Sequence, residues 1–172
     1  MMKVFFLVLF ISLSVLCGCA KPDNNTQVTV DDGTLEAMSA VNRSYTITIG
    51  VPTSAVEVDT EQYDKLYRHE GGEYELYTRV FATQDAETAI YELSGMEMSQ
   101  LSVKNASRFG MPEFRFSWYD GQTLRHCSGD MVIDNGICYA VVIAVEKDVS
   151  DAYVQMVTEV FSTFGLHLDE GV

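Results

Sequence analysis

His126, Cys127, Ser128 and Asp130 stand within five residues of one another and bring together a base, a thiol, a hydroxyl and a carboxylate. Those are the side-chain types of nucleophilic catalysis, which requires them to converge in space. On a β-strand successive side chains point to opposite faces, so His126 and Cys127 cannot form a joint site. His126, Ser128 and Asp130 share a face if the strand runs regularly, but Gly129 predicts a bulge that breaks the alignment. The run reads as a solvated sheet face. A hydrolase or thiol-redox protein using His126 or Cys127 is the alternative.

The remaining histidines, His69 and His167, have no second ligand-type residue at metal spacing. Glu57, Asp59, Glu61 and Asp64 offer carboxylates, yet no glycine-turned calcium loop accompanies them, and they read as a solvated helix start. Gly71-Gly72 is followed by neither a Lys-Ser/Thr pair nor a strand-to-helix switch, so it is no phosphate loop. Catalytic residues, metal and cofactor are therefore assigned none. Among the aromatics, Phe114, Phe116 and Trp118 share one strand face and Tyr119 takes the other. Large aromatics mostly fill cores, but Trp118 or Tyr119 beside Arg115 makes a candidate ligand groove, since such pockets are largely apolar with a few polar groups.

The clearest chemical signal lies at the N-terminus. Lys3 precedes an apolar run over residues 4–16 that ends in Leu16-Cys17-Gly18-Cys19. A membrane-spanning helix needs about 20 apolar residues, so this shorter run reads as a secretory signal over residues 1–18. The four residues resemble the lipobox of bacterial lipoproteins, in which an aliphatic and a small residue precede an obligatory cysteine. The resemblance implies a diacylglyceryl group on the Cys19 sulfur and cleavage just before it. It places the protein at the cell membrane, lipid-anchored and facing outside the cytoplasm.

The chain carries 11 Lys and Arg against 25 Asp and Glu, a net charge of −14. Binding to a phosphate backbone rests on Lys and Arg, and here they are single and scattered, which excludes nucleic acid as a partner. No polybasic segment draws the domain onto an anionic leaflet. Export makes a disulfide between Cys127 and Cys138 chemically accessible. Asn135-Gly136 is a strong two-residue hairpin signal, however, and pairing about it sets Ile133 opposite Cys138 and Cys127 opposite Ala144. The two cysteines then lie roughly 20 Å apart along the ladder, well beyond the Cα separation of about 7 Å that a disulfide allows. Two free, buried thiols are expected.

Residues 19–42 are rich in Asp, Asn and Thr and lack aromatics, which marks a polar tether with at most a short helix over residues 34–40. A single domain follows over residues 43–168. Alternation over residues 45–49 predicts a first strand, residues 59–70 are helix-compatible with Tyr63, Leu66 and Tyr67 on one face, and residues 74–82 read as a strand. Asp85 caps a short amphipathic helix stopped by Gly95. Residues 101–109 suit a strand. A three-strand meander then runs through residues 113–119, an Asp120-Gly121 turn, 122–133, the Asn135-Gly136 turn and 137–145. The last of these strands is apolar throughout, hence central. Ser150 caps a final helix with a wide apolar stripe, ended by Gly165.

The stretch from Phe114-Arg115-Phe116-Ser117-Trp118 to Asn135-Gly136-Ile137-Cys138-Tyr139, with the closing Phe161-Ser162-Thr163-Phe164, resembles the Mog1/PsbP-like group. Lipoproteins of Gram-positive bacteria look similar. The resemblance implies an α+β fold, an α/β/α sandwich in which a central antiparallel sheet has helices packed on it. It also implies a non-enzymatic binding or interaction module for an unknown protein or small-molecule ligand, with no catalytic motif to carry over.

Overall fold

Residues 137–145 are apolar at every position, and such a strand is stable only with both faces covered. The computed structural model, which describes residues 45–146 and 150–169, meets that requirement. Its elements are β1 (Tyr45–Thr48), β2 (Ala55–Val58), β3 (Lys65–His69), β4 (Tyr74–Ala82), α1 (Ala86–Ser94), β5 (Lys104–Arg108), β6 (Met111–Asp120), β7 (Arg125–Asp134), β8 (Ile137–Val145), α2 (Asp151–Thr163) and β9 (Gly165–Leu168). A seven-stranded antiparallel sheet runs in the order β2-β3-β4-β8-β7-β6-β5, so β8 is its middle strand. Residues 1–44 lie outside the described residues, and with them Cys19 and the expected signal peptide, tether and short helix over 34–40.

Alternation along β8 feeds two cores. Tyr139, Val141 and Ile143 pack with Tyr153, Val160 and Phe161 of α2 on one face. Cys138, Ala140 and Val142 pack with Ala89 and Ile90 of α1, Phe116, Trp118 and Met131 on the other. The architecture is the expected α+β sandwich of helix, sheet and helix. Both helices start as read: Asp85 accepts the backbone N–H of Thr88 at 2.8 Å, and the Ser150 hydroxyl accepts that of Tyr153 at 3.2 Å. Gly95 ends α1 in the left-handed region, where a residue without a side chain is favoured. Neither helix is long and apolar enough to cross a membrane.

Four readings change. Residues 65–69 of the expected helix form β3, hydrogen-bonded between β2 and β4. On a helix Leu66 and Tyr67 would share a face, whereas the strand sends them to opposite sides: Tyr67 packs against the α2-side core, and Leu66 is buried opposite Tyr77. The turn at Asp120-Gly121 is a four-residue loop, and β7 begins at Arg125, paired with Asp120. No bulge occurs at Gly129, which pairs in continuous register with Phe116 and Val142. Finally, Gly165 opens a strand as well as ending the helix. β9 pairs with β1 in a separate two-stranded ribbon whose Ile47 and Leu166 pack against the α2-side core.

Candidate functional site

The unbroken register of β7 places His126, Ser128 and Asp130 on the α2 side of the sheet, where Ser128 and Asp130 are buried and not on the solvated face expected, but it does not join them chemically. The Ser128 hydroxyl is engaged by the Tyr153 hydroxyl at 3.1 Å and that of Ser117 at 2.9 Å. His126 lies against the ring of Tyr119, centroids 5.0 Å apart. No described hydrogen bond connects His126 to Ser128 or Asp130, so this run holds no assembled base and nucleophile.

Asp130 belongs instead to a four-membered ion cluster. Arg115, directly across the ladder from Asp130, donates from Nε to Asp130 Oδ2 at 2.9 Å and from Nη2 to Glu113 Oε1 at 2.8 Å. Arg108 donates from Nε and Nη2 to the same Glu113 oxygen at 2.9 and 2.7 Å. It also reaches the carbonyls of Phe161 at 3.1 Å and Phe164 at 2.5 Å, tying the end of α2 to the sheet. Glu113 and Asp130 are both buried, and Asp130 Oδ1 has no partner among the described residues.

Two carboxylates sharing two guanidiniums do not titrate alike. Burial opposes ionisation of Glu113, but the hydrogen bonds and charges of Arg108 and Arg115 outweigh it and hold this carboxyl below its ordinary value. For Asp130 burial is the largest effect. With the Glu113 charge it overcomes the arginines and pushes the carboxyl up to about 7. The folded state therefore binds a proton between pH 4 and 7 that the unfolded chain releases, and this group's contribution to stability is full below about pH 4 and lost as pH rises through 7. Asp130→Asn, which mimics the protonated form, should remove about 2 kcal/mol of the stability difference between pH 5 and pH 8. Urea midpoints at the two pH values measure this, and an equal loss of stability at both would show that Asp130 carries no proton.

Above the Ser117–Ser128 pair, α2 and the sheet leave a groove of about 640 Å³. Val154, Val157 and Phe161 form its apolar wall, Ser117, Ser128 and Tyr153 part of its floor, and Lys104 and Arg115 lie side by side along it. Of the three residues singled out from the sequence as a ligand groove, Arg115 and Trp118 line this space. The Trp118 ring packs with Phe116 in the opposite core, and Tyr119 is exposed on the same face as Arg115, against His126. Sequence reasoning passed over Arg108, Glu113, Ser117 and Lys104. The signal available for Glu113 and Arg115 is their spacing of two, which puts them on one face of a strand.

Cys127 and Cys138 are free and buried, and the register is as expected, with Ile133 opposite Cys138 and Cys127 opposite Ala144. Burial pushes both thiols up to about 12, so neither is ionised at neutral pH. Among the described residues no three His, Cys, Asp or Glu side chains gather as a metal site.

No family model matches the chain, and no curated protein matches its sequence. Solved structures do match. The solution structure of cyanobacterial PsbP (CyanoP) from Synechocystis sp. PCC 6803 superposes with a TM-score of 0.52 at 13% identity, over 72% of this chain and 93% of that one. The chain has a PsbP-like fold. A protein of Bacteroides thetaiotaomicron (TM-score 0.45, 11% identity, 73% of this chain and 46% of that one) is also similar. So is LpqN of Mycobacterium tuberculosis, described as involved in cell envelope biogenesis (TM-score 0.43, 10% identity, 74% and 87%). At 13% identity the likeness to cyanobacterial PsbP concerns the fold alone.

Proposed function

We propose that this protein is a bacterial lipoprotein, held on the outer side of the cell membrane through Cys19, whose PsbP-like domain is a binding module and not an enzyme. The observation that carries the binding role is the groove beneath α2. It has an apolar wall, hydroxyls and two cations, and the nucleophile-type side chains near it are engaged elsewhere: Ser128 with Ser117 and Tyr153, Cys127 in the opposite core. Its volume falls within the range of roughly 300–1,000 Å³ that holds small molecules. The observation that carries the anchoring is the run Leu16-Cys17-Gly18-Cys19 after a short apolar segment. Two acyl chains hold a protein stably where one holds it marginally.

Cys19→Ala tests the anchoring. The wild-type protein should fractionate with membranes, incorporate labelled palmitate and be cleaved when intact cells or spheroplasts are treated with protease. The variant should lose the label and leave the membrane fraction. A variant that stays in the membrane fraction would show that attachment runs through another part of the chain.

A further inference from the structure

Seven basic side chains lie among the described residues, and six of them are ion-paired: Lys65, Arg68, Arg79, Arg108, Arg115 and Arg125. Lys104 is the exception, with no ion pair to another described residue. It stands directly across the β5–β6 ladder from Arg115, and like charges placed opposite each other on adjacent strands destabilise a sheet. The Nε and Nη2 atoms of Arg115 are committed to Glu113 and Asp130, while Nη1 has no described partner and the side chain is 42% exposed. The domain thus keeps two neighbouring cations with unused donors on one side of the groove.

The chain has 25 acidic residues, yet none is among those lining the groove. The hydroxyls of Ser117, Ser128 and Tyr153 bond to one another and so make little demand on a ligand. Val154, Val157 and Phe161 present apolar surface along α2. From the Lys104–Arg115 pair to the Tyr119–His126 pair is four residues along β6, about 13 Å at strand rise, which roughly matches a ten-atom apolar chain.

We infer that the groove beneath α2 binds an elongated amphiphile with an anionic head group. The head group is held by Lys104 Nζ and Arg115 Nη1, and the apolar tail lies against Val154, Val157 and Phe161. The inference rests on the binding-module reading and specifies its ligand. A carboxylate and a phosphate monoester are the two sources of such a head group.

The test uses the chain from residue 20 to residue 172, which contains the whole compact unit Val41–Val172. It is titrated with decanoate, decyl phosphate and decanol, and followed by amide shifts in NMR. One or both anions should bind and move the signals of Lys104, Ser117, Ser128 and Tyr153, with decanol at least about tenfold weaker, as the loss of a charged hydrogen bond implies. Lys104→Glu and Val154→Glu, at exposed positions that the fold does not depend on, should each weaken binding at least about tenfold. Val56→Glu on the far sheet edge should leave it unchanged. Equal binding of decanol, or full affinity in Lys104→Glu, overturns the anionic head group. Absence of amphiphile binding, with crosslinking of the intact protein to an envelope protein lost in both groove variants, overturns the ligand class and leaves the binding module standing. Absence of both overturns the two readings together.

Discussion

Replacing Arg108 with alanine should lower the unfolding free energy by about 3–4 kcal/mol at pH 7, since removing one partner of a buried ion pair costs about 3–5 kcal/mol. Arg108 is mostly buried and serves Glu113, Asp130 and two main-chain carbonyls, with its guanidinium 5.2 Å from the centre of the Phe164 ring. Without it, two buried carboxyls share Arg115, whose side chain is half in solvent, and the last turn of α2 loses its link to β5. The cost stays below the upper end of the range because Asp130 can take up a proton. For the same reason the loss should be greater at pH 8 than at pH 5. Lysine at position 108 should restore less than half, because an ammonium supplies the charge without the planar fork that meets Glu113 and the carbonyls together. Urea unfolding of the three proteins decides this, and a loss in Arg108→Ala under about 1 kcal/mol would mean the cluster does not bind α2 to the sheet.

Gly129→Val should cost about 3 kcal/mol or more, against the general preference of strands for valine. A Cβ at position 129 meets Phe116 Cζ at 3.1 Å and Trp118 Cζ3 at 3.4 Å. Those rings are stacked, centroids 5.4 Å apart, and occupy the space that a side chain on the central part of β7 would take. Gly129→Ala should cost about 1–2 kcal/mol, because one methyl group requires the rings to give by a few tenths of an ångström. Trp118 is the single tryptophan, so its emission should shift in the valine variant even where the protein stays folded. Stabilisation by valine would show that the rings are free to move and that Gly129 has no packing role.

Much of the fold was legible because its signals are local. Asp85 and Ser150 cap the helices they precede, and Gly95 ends α1 in the left-handed region. Asn135-Gly136 sets the β7–β8 register to the residue, with both in the left-handed region as a tight hairpin demands. The Asp120-Gly121 turn misled because two-residue and four-residue loops share the same opening residues. A two-residue turn there would place Arg115 across from His126. The four-residue loop, with Leu124 at φ 58°, places it across from Asp130, and the ion cluster follows from that pairing. β3 misled for a different reason. Short apolar spacings fit either period, and only the presence of β2 and β4 on its two sides makes the strand the better hydrogen-bonded state.

By itself the amino-acid sequence determined what depends on near neighbours: the helix caps, the tight hairpin, and the centrality of a strand with no polar residue to face water. Only the tertiary structure decided what depends on residues far apart in the chain. Arg108, Glu113, Arg115 and Asp130 come from three strands, and their charges and burial set one another's protonation. Lys104 and Val154 meet across a groove that exists because α2 returns over the sheet. A side chain's type is written in the sequence, but its chemical role is set by the partners that burial leaves within hydrogen-bonding distance, and those are chosen by the packing of distant elements.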